Sequence, residues 1–150
     1  MYKRQDLLRD DFGIASDVWS VTSFTELRRE GISLDRTNML HPDRERELCW
    51  VEQCLPPDAG PVVAATDYMK ALPDGIRPWV GATYRALGTD GFGRSDWRRT
   101  LRSFFEVDRR HVAVAALSAL VEDGEIDPGV VAEAIARYEI DPDAPDPATI

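Results

Sequence analysis

The chain is poor in the residues that most metal, redox and disulfide sites require. Among 150 residues it has two cysteines, Cys49 and Cys54, and two histidines, His41 and His111. Two cysteines five positions apart match neither a disulfide framework nor a zinc spacing, so we expect reduced, partly buried thiols, as in a cytoplasmic protein. Neither histidine stands at a motif spacing from a cysteine, serine or carboxylate, and the residues therefore offer no catalytic candidate and no metal ligand.

Long apolar runs and an excess of basic charge are also missing. No stretch approaches the roughly 20 apolar residues of a membrane span, and the first residues lack the apolar core of a secretory signal. The formal net charge of −9 argues against general binding to nucleic acid or anionic membranes, because both need a basic surface. What remains is one soluble domain, since 43% hydrophobic residues are enough to form a core at this length.

One basic segment departs from the acidic background. Six arginines fall within seventeen residues and are opposed there by Asp96, Glu106 and Asp108. Such a cluster is either a docking surface for phosphate or an acidic partner, or a solvated helix face held by ion pairs, and the second interpretation is favoured. The six are Arg94, Arg98, Arg99, Arg102, Arg109 and Arg110.

The apolar pattern predicts an α/β domain. Strands are predicted at 15–21, 61–66 and 83–87, and each is followed by a helical pattern. The middle run, PVVAAT, is typical of a strand buried on both faces of a parallel sheet. Ser23 and Glu26 form a capping box that opens the first of these helices, which we expect to end near Gly31.

Helical patterns cover most of the remaining chain. They are predicted at 6–12, at 43–55, in the first half of 67–80, at 95–105 with Ser95 as N-cap, at 111–121 after a cap at Asp108, and at 130–138 after Asp127 and Pro128. Residues 37–42 are predicted to form a loop. Residues 1–5 fit no structural pattern and are interpreted as a foreign leader, residues 6–140 as the domain, and the proline- and aspartate-rich residues 141–150 as a flexible tail.

The stretch LGTDGFGRSD, residues 87–96, is the candidate functional site. It leads from a predicted strand into a predicted helix, at the sheet edge where α/β proteins place ligands. It is not a GxGxxG fingerprint and lacks a Walker lysine, so its phosphate signal is weak. Two interpretations stay open: an anion site at the amides of the helix start, and a tight corner with Phe92 in the core, which is favoured. The candidate interface or anion contacts are Asp90, Arg94, Ser95 and Arg98.

Several literal strings in the chain point to one protein family. DVWSVTSFTELRREG, TDYMK, GTDGFGRSD, FFEVD and IDPGVVAEAIARY follow one another in order between residues 6 and 140. Together they resemble the C-terminal domain of the homodimeric type of pyruvate dehydrogenase, the thiamine-dependent decarboxylating component of its complex. Cys49, Trp50 and Trp97 depart from the family's usual residues, and residues 1–5 are foreign to its pattern.

The resemblance implies a fold. The family's last domain is similar to a transketolase C-terminal domain, a three-layer α/β/α arrangement around a five-stranded mixed sheet. It begins with two strands and a helix before the point where this chain starts, and residues 6–12 resemble the end of that helix. One missing strand would lie in the middle of the sheet, between the predicted strands 15–21 and 61–66. We therefore expect a truncated domain that does not fully close its core alone.

The resemblance also implies a function for a longer enzyme. That enzyme would decarboxylate pyruvate on thiamine diphosphate and magnesium, and would transfer the acetyl unit to the lipoyl group of the acetyltransferase core. Its cofactor motif is absent here, so no cofactor residue maps onto this chain, and the fragment alone is expected to be inactive. Its implied role is support of the homodimer and of the rest of its own polypeptide, with the acetyltransferase core as a further partner. The alternative is a free-standing, flavodoxin-like module that holds an anion or nucleotide at residues 91–95.

Overall fold

A pair of parallel strands lies among the helices of residues 3–150, the part of the chain that the computed structural model describes. β1 (Val62–Ala65) and β2 (Tyr84–Leu87) pair from Val62 opposite Tyr84 to Ala65 opposite Leu87. The helices are α1 (Lys3–Phe12), α2 (Phe24–Leu40), α3 (Trp50–Cys54), α4 (Ala71–Asp74), α5 (Arg98–Phe104), α6 (Arg109–Glu122) and α7 (Pro128–Arg137), with a 3₁₀ turn at Arg77–Trp79. The predicted strands at 61–66 and 83–87 and the α/β class are confirmed.

The predicted strand at 15–21 is wrong for the described chain. Residues 15–22 form neither helix nor strand, and all of them are exposed, Trp19 to 58% of its surface. A strand is stabilised by its hydrogen-bonded neighbour and by cross-strand side-chain pairs. Within residues 3–150 the sheet contains only β1 and β2, so this apolar segment has no strand to pair with.

The first core cluster is centred on α6. This helix packs against α1, α7 and both strands, and its small residues Ala113 and Ala119 are fully buried because they allow close approach. Asp108 caps its first amides, as predicted, and Gly124 follows its end at a φ of +76°. The buried members of the cluster are Leu8, Ala113, Leu117, Ala134 and Tyr138.

The second core cluster surrounds Trp79 and includes Tyr84 of β2. The α2 residues Phe24, Leu27 and Leu34 pack against it. The indole Nε1 of Trp79 donates a hydrogen bond to Asp35 Oδ2 at 2.9 Å, which satisfies the one polar atom that the ring carries into the core. The buried members are Cys49, Val51, Ile76, Trp79, Val80 and Tyr84.

Helix α2 is longer than the sequence predicts. It begins after the Ser23 cap as expected, but it continues through Gly31 to Leu40. The predicted end near Gly31 is therefore wrong, and of the predicted loop at 37–42 only residues 41 and 42 lie outside the helix. Gly31 is buried, and a Cβ built on it would lie 2.4 Å from Trp79 Cε2. The glycine therefore makes room for the indole ring rather than ending the helix.

The predicted helix at 43–55 is reduced to Trp50–Cys54. Asn38 explains the difference, because its side chain accepts a hydrogen bond from Glu47 N at 3.0 Å and donates one to Glu47 O at 2.9 Å. These two bonds replace helical partners for that segment. The helix therefore begins at Trp50, after the N-cap residue Cys49, whose amide donates to Glu52 Oε2 at 2.9 Å.

Two further expectations change at helix boundaries. Residues 67–80 contain only the single turn α4 and the 3₁₀ turn, because Pro73 and Pro78 interrupt the backbone ladder. At the other end of the chain, Lys3–Gln5 belong to α1, although no pattern is predicted there, while residues 1 and 2 of the predicted leader lie outside the described range. No helix within residues 3–150 is both long and apolar enough to cross a bilayer.

We predict that Gly31→Ala destabilises the protein. Alanine usually stabilises a helix interior by about 1 kcal/mol relative to glycine, but overpacking against Trp79 costs about 1–3 kcal/mol, so the net change is a loss. Urea unfolding followed by tryptophan fluorescence measures it. The exposed Ser33 on the same helix provides the control, because Ser33→Ala changes stability by less than about 0.5 kcal/mol. Equal midpoints for Gly31→Ala and the unmodified chain would contradict the close packing.

Candidate functional site

The two loops that leave the sheet at its carboxyl edge touch each other. Gly88, directly after β2, is buried, and a Cβ built on it would lie 2.6 Å from Tyr68 O and 2.8 Å from Lys70 N. Thr89 N donates to Tyr68 O at 2.9 Å, and Asp90 Oδ1 accepts from Lys70 N at 3.0 Å. The first half of the LGTDGFGRSD stretch thus forms a corner in which Asp90 is a turn residue.

Asp67, the second residue after β1, connects this corner to α5. One of its carboxylate oxygens accepts a hydrogen bond from Arg98 Nη2 at 3.1 Å, and the other lies 3.3 Å from Arg102 Nε. Arg4 of α1 lies in the same charge cluster: burial lowers the pKa of its guanidinium, nearby Arg102 lowers it further, and Asp67 and Asp108 oppose the change. Arg98 is therefore a partner of Asp67 and belongs to an internal network.

Ser95 does not cap the helix that follows it. Helix α5 begins at Arg98 with Trp97 as its N-cap, so the predicted helix 95–105 starts three residues too early. Asp96 Oδ1 accepts a hydrogen bond from Trp97 N at 2.6 Å, which places a carboxylate at the start of the helix. A bound anion there would meet that negative charge, and α5 is a short helix with a correspondingly small dipole.

The second half of the stretch projects outward. Every residue from 91 to 100 is exposed, and Phe92 and Trp97 are each 84% exposed. The prediction that Phe92 fills the core is wrong, because Gly91 adopts a φ of +97° and the space beside it is filled by Pro147 and Ala148. The guanidinium of Arg94 lies over the Phe104 ring, 4.4 Å from its centroid, and Ser95 lines the same open depression.

Most of the basic cluster is engaged within the chain. Besides Arg94 and Arg98, Arg102 donates to Val107 O at 3.2 Å, and Arg110 donates to Tyr138 O at 2.9 Å and to Asp108 Oδ2 at 3.2 Å. Such exposed or half-exposed pairs each contribute at most about 1 kcal/mol, but together they orient the guanidinium groups. This supports the favoured interpretation of a helix face held by internal contacts.

Asp108 is the most strongly bonded carboxylate near the site. Its Oδ1 accepts from Arg110 N at 2.9 Å and from His111 N at 3.0 Å, and His111 Nδ1 lies 2.8 Å away. Partial burial by itself raises the pKa of Asp108, but the hydrogen bonds from His111 and Arg110 hold that pKa well below its usual range. The His111 ring is thus hydrogen-bonded locally, to the N-cap residue of its own helix.

The residues near the sheet edge do not fit a diphosphate–magnesium group. Within residues 3–150, no three histidine, cysteine, aspartate or glutamate side chains converge as metal ligands. Cys49 is buried in a core cluster, where burial raises the pKa of its thiol, so it is not an activated nucleophile. We assign no chemical step to this chain.

Three contributors to this region escape sequence reasoning. In the sequence Asp67 resembles the other helix-capping aspartates. The signal for its role is its position directly after a predicted strand, together with the arginine-rich helix later in the chain, because this combination indicates an ion pair at the sheet edge. Gly88 differs in no visible way from Gly91 and Gly93 until the loop after β1 is placed against it. Arg4 lies 63 residues before Asp67 and about a hundred before Arg102 and Asp108, and no local pattern indicates it.

The chain matches the family model of the transketolase-like C-terminal domain over residues 1–108. It belongs to this family. It is 58% identical to the pyruvate dehydrogenase E1 component of Pseudomonas aeruginosa over 142 residues. This alignment covers 94% of this chain and 16% of that relative. It is 51% identical over 143 residues to the E1 component of Escherichia coli, with 95% and 16% coverage, and 47% identical over 135 residues to that of Mycobacterium tuberculosis, with 90% and 14%.

These comparisons confirm the resemblance that the literal strings predict. The transketolase-like C-terminal family match includes the whole LGTDGFGRSD stretch and α5, and it ends at Asp108, the N-cap residue of α6. The chain spans only about 16% of the length of the relatives from Pseudomonas and Escherichia. Whatever those longer proteins do is accordingly a matter of proposal for this chain.

We predict that Asp108→Asn reduces stability near neutral pH and that its effect disappears in acid. A carboxylate whose folded pKa is lowered contributes stability above its unfolded pKa of about 3.9, and this contribution is lost as the pH falls through the folded pKa. Asparagine keeps the capping geometry, so the variant isolates the charge. Urea unfolding at several pH values between 7 and 2 should show a constant difference between the two midpoints above about pH 4 and a shrinking difference below it.

The control for this measurement is Asp58→Asn in an exposed turn, where we expect a much smaller change. A difference between the unmodified chain and Asp108→Asn that stays constant from pH 7 to pH 2 would show that the hydrogen bonds from His111 and Arg110 do not favour the ionised form.

Proposed function

We propose that this chain is the C-terminal part of a pyruvate dehydrogenase of the acetyl-transferring, homodimeric type, and that it supports assembly rather than chemistry. The observation that carries the proposal is 44–58% identity to E1 components over at least 90% of this chain. The whole enzyme would decarboxylate pyruvate with thiamine diphosphate and magnesium and would acetylate the lipoyl group of the acetyltransferase core. A cytoplasmic location stays a prediction.

The exposed loop supports an assembly role. Aromatic residues and arginine are enriched at the centres of protein interfaces, and residues 91–97 present Phe92, Arg94 and Trp97 together on one exposed segment. The exposed segment 15–22 and the two-stranded sheet are the surfaces that further strands of a three-layer α/β/α domain would cover. The proposed partners are the rest of the same polypeptide and the second subunit of a homodimer.

The alternative, a flavodoxin-like module that binds an anion or nucleotide at 91–95, receives less support. The Asp96 carboxylate already bonds the Trp97 amide at the start of α5. Arg98, the second cation that such a ligand would need, is paired with Asp67. Calorimetric titration of the chain with phosphate and common nucleotides separates the two proposals, because assembly alone predicts no heat of binding.

We predict that the chain by itself does not turn over pyruvate. Its purified form, supplied with thiamine diphosphate and magnesium, should release no carbon dioxide above the background without enzyme. The polypeptide encoded by the complete reading frame that contains this sequence should release it under the same conditions. Turnover by the 150-residue chain would refute the assembly role, and inactivity of both would refute the family function.

We predict that changes at the exposed loop weaken the homodimer of the complete enzyme. Removing an anchor of an interface typically costs more than 1 kcal/mol, so Arg94→Ala or Phe92→Ser should raise the dimer dissociation constant by roughly tenfold or more. Sedimentation velocity over a dilution series measures this constant. The exposed Arg44 supplies the matched control, Arg44→Ala, with no expected change.

The same variants distinguish an interface from a ligand site. At protein concentrations where the variants are dimeric, their half-saturation by thiamine diphosphate should equal that of the unmodified enzyme. If Arg94→Ala instead weakened cofactor saturation and left the dimer intact, the ligand-site interpretation of residues 91–95 would be restored.

A further inference from the structure

The C-terminal segment, residues 141–150, folds back onto the glycine turn. Pro147 is buried, and its backbone lies directly beside Gly91. A Cβ built on Gly91 would lie 2.6 Å from Pro147 O and 2.9 Å from Ala148 Cα. The composition of this segment predicts a flexible tail. In the structure the segment instead packs against the exposed loop at Gly91.

The segment has a defined local shape. Asp141 O accepts from Ala144 N at 3.3 Å, Asp146 Oδ1 accepts from Ala148 N at 2.9 Å, and Asp146 O accepts from Thr149 N at 2.9 Å. Three prolines lie among these turns. Because proline restricts the free chain, ordering such a segment costs less conformational entropy than ordering an ordinary tail of the same length.

The segment also reaches α5. Pro145 and Ile150 line one cleft together with Phe104 and the end of α7 near Ile140. Phe104 is the ring over which the Arg94 guanidinium lies. The segment therefore borders the loop at two points, directly at Gly91 and through Phe104 at Arg94.

The loop itself has little internal support. Within the part of the chain that the structure describes, no hydrogen bond engages a backbone amide of residues 91–96. Gly91 and Gly93 add conformational freedom to this stretch. A loop with exposed amides and few buried contacts belongs to the least stable part of a structure, so external contacts decide its conformation.

We infer that residues 141–150 act as a strap that fixes the conformation of the loop 91–97. Gly91 is required for two separate reasons: its backbone has a positive φ, and the strap occupies the position of a side chain. The inference concerns contacts within this chain, so its failure would leave the proposed function untouched.

The first test removes the strap. A chain ending at Pro145 lacks Pro147 and Ala148 and should be cut by trypsin after Arg94 about tenfold faster than the full chain, because proteolysis follows the population of the open loop. Cleavage after Arg44, in an exposed turn far along the sequence, is the internal reference and should not change. Equal cleavage rates after Arg94 in the two chains would overturn the inference.

The second test uses Gly91→Ala, with Gly60→Ala as its matched control. Gly60 has a similar φ of +82°, but no atom lies within 4 Å of its Cβ position, so the control carries the backbone strain without the clash. In the full chain, Gly91→Ala should raise tryptic cleavage after Arg94 toward the rate of the shortened chain, and Gly60→Ala should not.

The two changes should not be additive. In the shortened chain, Gly91→Ala should add little further cleavage, because the contact that it disrupts is already absent. If the effects of shortening and of Gly91→Ala multiplied as independent changes, the strap would not act through Gly91. Should Gly91→Ala fail to fold, the cleavage rate of the shortened chain decides the inference alone.

Discussion

The arrangement of the site depends on the contact between the two loops that leave the sheet. A parallel pair brings both carboxyl ends to the same edge, and here the absence of a side chain at Gly88 allows the backbone after β2 to touch Tyr68 and Lys70 after β1. The hydrogen bonds of Thr89 and Asp90 then hold that contact. Asp67, which follows β1 at the same edge, then forms ion pairs with Arg98 and Arg102 of α5. The start of α5 is thus tied to the edge of the two-stranded sheet.

Charge in this acidic chain is balanced locally. Four of the six arginines of residues 94–110 have local partners: Arg98 donates to the Asp67 carboxylate, Arg102 and Arg110 donate to the carbonyls of Val107 and Tyr138, and Arg94 lies over the Phe104 ring. Most of this cluster is thus held by contacts within the chain, in agreement with the interpretation that the sequence favours. The surface that remains available is aromatic as much as basic, which favours protein contact over capture of a phosphate.

Local signals predicted those elements whose causes are local. The caps at Ser23, Asp108 and Asp127 and the buried strand PVVAAT could be read from neighbouring residues. The predicted secondary structure is wrong where a contact with a residue elsewhere in the chain, or the lack of one, determines the local conformation. Gly31 reads as a helix end until Trp79 packs on it, the segment before Trp50 reads as helix until Asn38 binds its backbone, and the strand at 15–21 has no partner in the described chain. Each of these contacts spans a sequence separation that periodicity does not sample.

The literal string LGTDGFGRSD locates the candidate site in the sequence, but it does not predict the geometry of the site. The string identifies the family, but whether Phe92 points inward or outward depends on Gly91 and on residues more than fifty positions later. A loop that supplies almost no hydrogen bonds to its own amides takes its shape from what surrounds it. The C-terminal segment contacts the loop at Gly91, whereas the side chains of Phe92 and Trp97 are exposed. An exposed aromatic surface on a loop whose conformation is already fixed is suited to a protein interface. Its aromatic side chains are ordered before a partner binds, so the conformational entropy lost on association is small.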